Sequence, residues 1–167
     1  MNIDGRLRAV TYGRACTINI DPIEKKPLFH FRPGTRILSL ATAGCNLHCK
    51  NCQNWEISQA DPDTVKNFNG ETWEPEKLVK LARRMGCPSI AYTYTDPVVF
   101  YEYVLDTSTK AKEAGLENVL VTAGYILPEP LKRLAPVVDA FKTDLKSFEE
   151  KFYREICGAT LKPVLDG

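Results

Sequence analysis

Apolar residues near the start of the chain fall on alternate positions, with Val10, Tyr12, Cys16, Ile18 and Ile20 in one row. That period of two predicts an extended or hairpin segment ahead of the main fold. The stretch from Asp21 to Gly34 contains Pro22, Pro27 and Pro33, each of which fixes φ and removes a backbone donor, so it is expected to be an ordered surface connector and not a helix. Beyond it the pattern becomes regular. Apolar runs at Ile37–Ala41 and Ser89–Tyr94 read as strands. Between them Pro75, Leu78, Val79, Leu81, Ala82 and Met85 recur at helical spacing, with Gly86 just past the end.

The alternation continues with a helix over 98–114 ended by Gly115 and a strand over 118–122. A helix over 129–134, a strand over 140–143 and a helix over 149–156 complete it. About four strand-helix units predict an α/β fold with a parallel sheet and right-handed crossovers, either open or curved toward a barrel. In such folds the chemistry collects at the carboxyl ends of the strands. The residues there are Gly44 and Cys45, then Thr95-Asp96-Pro97, then Thr122-Ala123-Gly124-Tyr125, then Asp144-Leu145-Lys146. Neither a G-x-G-x-x-G nor a Walker A sequence occurs, so those loops carry no dinucleotide or nucleoside-triphosphate motif.

Composition adjusts this picture only slightly. The 167 residues hold 22 Lys plus Arg against 21 Asp plus Glu and are 44% hydrophobic, which is ordinary for a globular domain. A balance so near neutral gives no electrostatic footprint for nucleic acid or for an anionic membrane. The first 20 residues contain no apolar core of a secretory signal, and no apolar run approaches the roughly 18–20 residues of a bilayer-spanning helix, so a cytoplasmic protein is expected.

Six cysteines are too unevenly spaced to read as a disulfide framework, because Cys45, Cys49 and Cys52 crowd into one loop as C-x3-C-x2-C. Three thiolates in so short a loop can each bind one iron of a [4Fe-4S] cube and leave the fourth iron open to a small molecule. A structural zinc site is closed by four protein ligands and would have to recruit His48, Cys16, Cys87 or Cys157. His48 directly precedes Cys49, where adjacent side chains diverge. Cys16, Cys87 and Cys157 stand singly near apolar segments and read as small buried hydrophobes. An iron–sulfur electron carrier would likewise need one of those distant cysteines as its fourth ligand.

In this setting the chain resembles the radical S-adenosylmethionine (SAM) enzymes. More narrowly it resembles their pyruvate formate-lyase activating enzyme-like branch and, within it, the radical SAM proteins of the AmmeMemoRadiSam system. The matching stretches begin at Asp21-Pro-Ile-Glu-Lys-Lys-Pro-Leu-Phe-His-Phe and continue at Gly44-Cys-Asn-Leu-His-Cys-Lys-Asn-Cys-Gln-Asn-Trp. They go on through Ala91-Tyr-Thr-Tyr-Thr-Asp-Pro, Phe100-Tyr-Glu-Tyr, Val121-Thr-Ala-Gly-Tyr and Asp144-Leu-Lys. The resemblance implies a partial (β/α)6 barrel over residues 37–167, truncated at its C-terminal end and preceded by an N-terminal extension over 1–36. It implies a [4Fe-4S] cluster on Cys45, Cys49 and Cys52, SAM on the open iron, and reductive cleavage of SAM to a 5′-deoxyadenosyl radical that abstracts hydrogen from a substrate. Asp96, Thr122, Asp144 and Lys146 are the implied SAM contacts. A reduced flavodoxin or ferredoxin-type protein is the implied electron donor, and a partner protein is one candidate substrate.

Three positions depart from the family pattern. Asp96 stands where Glu is usual, Ala123 replaces an Asn, and Asn51 replaces an aromatic residue before the third cysteine. Together with the expected truncation, these departures keep a second reading open, a non-catalytic zinc-binding or interaction module derived from such an enzyme.

Overall fold

The computed structural model describes residues 2–7, 9–60 and 70–167. A small hairpin of β1 (Asn2–Ile3) and β2 (Arg6–Leu7) precedes the main sheet. That sheet runs in the order β3 (Ala15–Pro22), β4 (Arg36–Thr42), β5 (Ser89–Tyr92), β6 (Glu117–Thr122) and β7 (Ala140–Thr143). Strands β4 to β7 are parallel, and β3 lies antiparallel along β4. The intervening helices are α1 (Trp55–Ser58), α2 (Pro75–Arg84), α3 (Tyr101–Glu113) and α4 (Pro128–Leu134). The last two are α5 (Glu150–Phe152), which runs on into a π turn over Tyr153–Cys157, and α6 (Lys162–Asp166).

Side chains alternate across a strand, so each central strand feeds two cores. Leu38, Leu40, Ile90, Tyr92 and Leu120 meet Leu78, Val79 and Ala82 of α2 and Tyr103, Val104 and Ala111 of α3. Asn118 is buried in this layer with its amide fully used: it accepts from the Tyr92 hydroxyl at 3.1 Å and donates to the Ser108 and Val137 carbonyls at 3.0 and 2.9 Å. The opposite face carries Ile37, Ala91 and Val119, and it is covered by Ile23, Leu28 and Phe31 from the proline-rich stretch.

The N-terminal part of the chain is where structure and expectation differ most. The alternating segment is an edge strand of the main sheet, with seven register pairs to β4 and a bulge at Cys16, whose thiol donates to the Ala41 carbonyl at 3.5 Å. The proline-rich stretch is a plug over the inner sheet face, since Ile23 and Lys26 are both buried. A period of two reveals that a segment is extended, and not which strand it pairs with.

The strand expected over 89–94 stops at Tyr92, because Tyr94 takes a left-handed backbone conformation with φ of 66°. The first turn of the helix expected from residue 98 is a 3-10 turn, Pro97–Phe100, capped by the Asp96 carboxylate on the Val98 amide at 3.1 Å. Among the described residues no helix is long and apolar enough to cross a membrane.

Candidate functional site

The cysteine loop leaves β4 through Gly44, whose φ of 98° is open to glycine and strained for other residues. Its amide then donates to the Ile57 carbonyl of α1 at 2.8 Å, which closes the loop on itself. Two more backbone bonds tie it to the far end of the chain, His48 N–H to the Cys157 carbonyl at 2.8 Å and Lys50 N–H to the Ile156 carbonyl at 2.9 Å. Leu47 anchors it in a small core with Ala123, Tyr153, Cys157 and Val164. The His48 ring is exposed and engages Gln59 at 2.6 Å, and Gln59 in turn donates to the Leu47 carbonyl.

Gly158 makes the close approach between loop and π turn possible. Its φ is 64°, and a Cβ there would lie 3.3 Å from the His48 Cβ. Gly158→Ala is therefore expected to cost about 1–2 kcal/mol from the left-handed conformation alone, read as a lower thermal midpoint, and to loosen the loop that carries the thiols.

Cys45, Cys49 and Cys52 all line one cavity of about 280 Å³. Thr93 to Asp96, Thr122, Ala123, Asp144 and Lys146 line it too, so every site residue expected from the sequence reaches the same space. Burial pushes the Cys45 thiol above its ordinary value. Burial, followed by the neighbouring Cys157 thiol, pushes Cys49 up to about 12. These thiols are protonated at neutral pH unless a metal displaces the proton. Cys52 sits 3.3 Å from the Ser58 hydroxyl. Among the described residues no three His, Cys, Asp or Glu side chains are gathered as a group for a single metal ion. The donor set nevertheless suits an iron–sulfur cube, which takes thiolates spread around a cavity, one to each iron.

Asp96 is buried and organises the rim. Its carboxylate accepts from the Ala123 amide at 2.8 Å, from the Val98 amide, and from the Thr122 hydroxyl at 3.0 and 3.2 Å. Desolvation raises its pKa while these hydrogen bonds oppose the rise. Thr122 is thus committed to Asp96, and through its oxygen to the Gly124 amide at 3.1 Å. The helix-capping role and the place at the rim are held together by one side chain.

A period of two on a strand predicts that Asp144 and Lys146 share a face; they do meet, with Lys146 Nζ 3.0 Å from Asp144 Oδ2, but past the end of β7, which stops at Thr143. They lie in the following loop, which is fixed by the Asp144 amide on the Thr122 carbonyl at 2.7 Å and the Lys146 amide on the Tyr153 hydroxyl at 3.0 Å. Lys142 also contacts Asp144.

Several lining residues were not among the site residues expected from the sequence. Lys25, Lys26 and Pro27 enter from the plug, Lys142 from β7, and Tyr94 from the turn after β5, with Asn54 donating to the Tyr94 carbonyl at 3.0 Å. Cys157 is buried as the sequence suggested, yet it lies against Cys49. The signal available for the lysines was that Asp21-Pro-Ile-Glu-Lys-Lys-Pro is one of the stretches that carry the family resemblance.

The sequence profile of the radical SAM superfamily matches residues 39–167, from the middle of β4 to the end of the chain. The chain belongs to that superfamily. Among relatives of this radical SAM chain, an uncharacterized protein of Methanocaldococcus jannaschii is 52% identical over 165 residues, covering 99% of this chain and 48% of the relative. The 7-carboxy-7-deazaguanine synthase of Thermococcus kodakarensis is 30% identical over 145 residues, covering 78% of this chain and 57% of the synthase. A putative glycyl-radical enzyme activating enzyme of M. jannaschii is 30% identical over 132 residues, covering 77% and 47%. The radical SAM chain thus spans about half the length of the curated relatives it matches.

Proposed function

We propose that this chain carries the cluster and cofactor site of a radical SAM enzyme of the pyruvate formate-lyase activating enzyme-like branch, close to the AmmeMemoRadiSam-system proteins. The observation that carries the reading is the convergence of Cys45, Cys49 and Cys52 with Asp96, Thr122, Asp144 and Lys146 on one cavity at the carboxyl ends of β4 to β7. The three thiols would hold a [4Fe-4S] cluster, which when bound supplies the electron that cleaves SAM to a hydrogen-abstracting radical.

The protein's own contribution is placement. Buried Asp96 holds Thr122 and Ala123 against the loop after β5, and Lys146, paired with Asp144 on the cavity wall, would offer its ammonium to the SAM carboxylate. Asp96 already accepts from two amides and a hydroxyl, so its role toward an amino group is carried by its charge and by the lone pairs it has left. A flavodoxin or ferredoxin-type donor and a protein substrate belong to the same reading.

Anaerobic reconstitution with iron and sulfide tests it, followed by electron paramagnetic resonance of the reduced protein with and without SAM. A reduced-cluster signal that changes on adding SAM is expected, and a cluster that ignores SAM would refute the reading.

A zinc module is the second reading: a fourth thiol, Cys157, lies against Cys49, although the four thiols would have to draw together to close on one ion. Cys157→Ala separates the two: iron content and the SAM response persist in the variant if three thiols hold a cube, whereas one zinc per chain is lost if four thiols close on it.

A further inference from the structure

We propose that the cavity's lysine wall, Lys25 and Lys26, binds an anionic group of the substrate, a carboxylate or a phosphate; the inference rests on the radical SAM reading of the same cavity. Both ammonium groups are held by one carboxylate, with Lys25 Nζ 2.9 Å from Asp21 Oδ1 and Lys26 Nζ 2.7 Å from Asp21 Oδ2. The trio therefore carries one positive charge more than it balances. Asp21 and Lys26 are buried, and the Tyr94 hydroxyl donates to Asp21 while its ring centre lies 4.6 Å from the Lys26 ammonium. Lys25 keeps an exposed ammonium with N–H donors to spare.

Packing does not call for this arrangement. Ile23, Leu28 and Phe31 already cover the inner sheet face, and a buried ion pair stabilises no more than apolar residues of the same volume would. Tyr94, which donates to Asp21, holds a left-handed backbone, and Asn54, two residues past Cys52, fixes its carbonyl there. The left-handed Tyr94 and the excess positive charge that Lys25 presents beside the cavity are both arrangements that a ligand's anion would use.

The position is also apart from the SAM contacts. Asp21 pairs with Ile37 near the start of β4, whereas Cys45 follows the end of that strand, so the lysines and the thiols approach the cavity from opposite ends. On the other side Lys142 and Lys146 share Asp144.

Titration of the whole chain with inorganic phosphate and, separately, with succinate tests the proposal, followed by calorimetry and by NMR of the lysine side chains. Saturable binding of one probe is expected, weakened by at least about tenfold in Lys25→Glu and retained in Lys146→Gln. The tighter probe tells phosphate from carboxylate. Lys26→Met, checked for folding by circular dichroism, should lose binding in the same way. Absence of saturable binding by either probe, binding that survives Lys25→Glu, or loss in Lys146→Gln alone would overturn the proposal. The assay needs no cluster. A chain that binds the anion but assembles no iron refutes only the radical SAM reading, and one that responds to SAM but binds neither probe refutes only this one.

Discussion

Alanine in place of any one of Cys45, Cys49 and Cys52 is expected to abolish formation of a stable [4Fe-4S] cluster, so that reconstituted protein falls from about four irons per chain to a small residue. The magnitude follows from the geometry. All three thiols line one cavity, and the only other cysteine in contact with them, among the described residues, is buried Cys157 behind Cys49. A cube left with two protein ligands is labile to solvent and oxidant, so SAM cleavage should drop by orders of magnitude. Iron and sulfide analysis beside the visible absorption of the reconstituted variants checks this. Variants that keep a full complement of iron would mean that these thiols are not the ligands. Thermal unfolding of the apoproteins should change little, since the loop is held by backbone bonds to Ile57, Ile156 and Cys157 and by buried Leu47, none of which these substitutions touch.

The second large effect is expected at Asp21. Asp21→Asn leaves the Lys26 ammonium buried without a counter-charge, which costs about 3–5 kcal/mol, a large part of the roughly 5–15 kcal/mol that holds a domain folded. Urea or thermal denaturation reads it directly. The double variant Asp21→Asn, Lys26→Met should recover most of the loss, because the buried ammonium that lacked a counter-charge is then gone; a double variant as unstable as the single one would show that the charge was not the cause.

The pH dependence has a definite sign. Burial alone would raise the Asp21 carboxyl, but hydrogen bonds from Lys26, Tyr94 and Lys25 outweigh it and hold the group well below the usual carboxylate range. Its contribution is therefore present in full above the unfolded value of about 3.9 and lost as pH falls through the lower, folded value. The wild-type chain should lose stability on acidification below about pH 4, and Asp21→Asn should lack that part of the acid limb.

The local sequence determined most of the parallel half of this protein. Leu38, Leu40, Ile90 and Tyr92 form short apolar runs that only buried strands accommodate. Pro75 and Gly86 punctuate α2 by fixing φ at one end and permitting a left-handed residue at the other. The cysteine spacing is itself local chemistry, since three thiols within eight residues need no knowledge of the rest of the fold. The rim motifs were also legible, because a parallel sheet presents the residues that follow its strands on one edge.

Tertiary structure alone decided the rest. The period of two marks Ala15–Pro22 as extended, but nothing local marks it as the edge strand of the main sheet, because the partner of its ladder is β4. Nothing local marks Lys26 as buried, since its burial depends on Asp21, on Tyr94 more than 60 residues away, and on the sheet face that Ile23 covers. The contact of Cys157 with Cys49 and the bond from Asp96 to Thr122 arise in the same way, between residues that the chain brings together only after its strands have paired in order. Periodicity records which face of an element is apolar. Which distant charge or thiol meets that face depends on packing, and packing is fixed only by the whole fold.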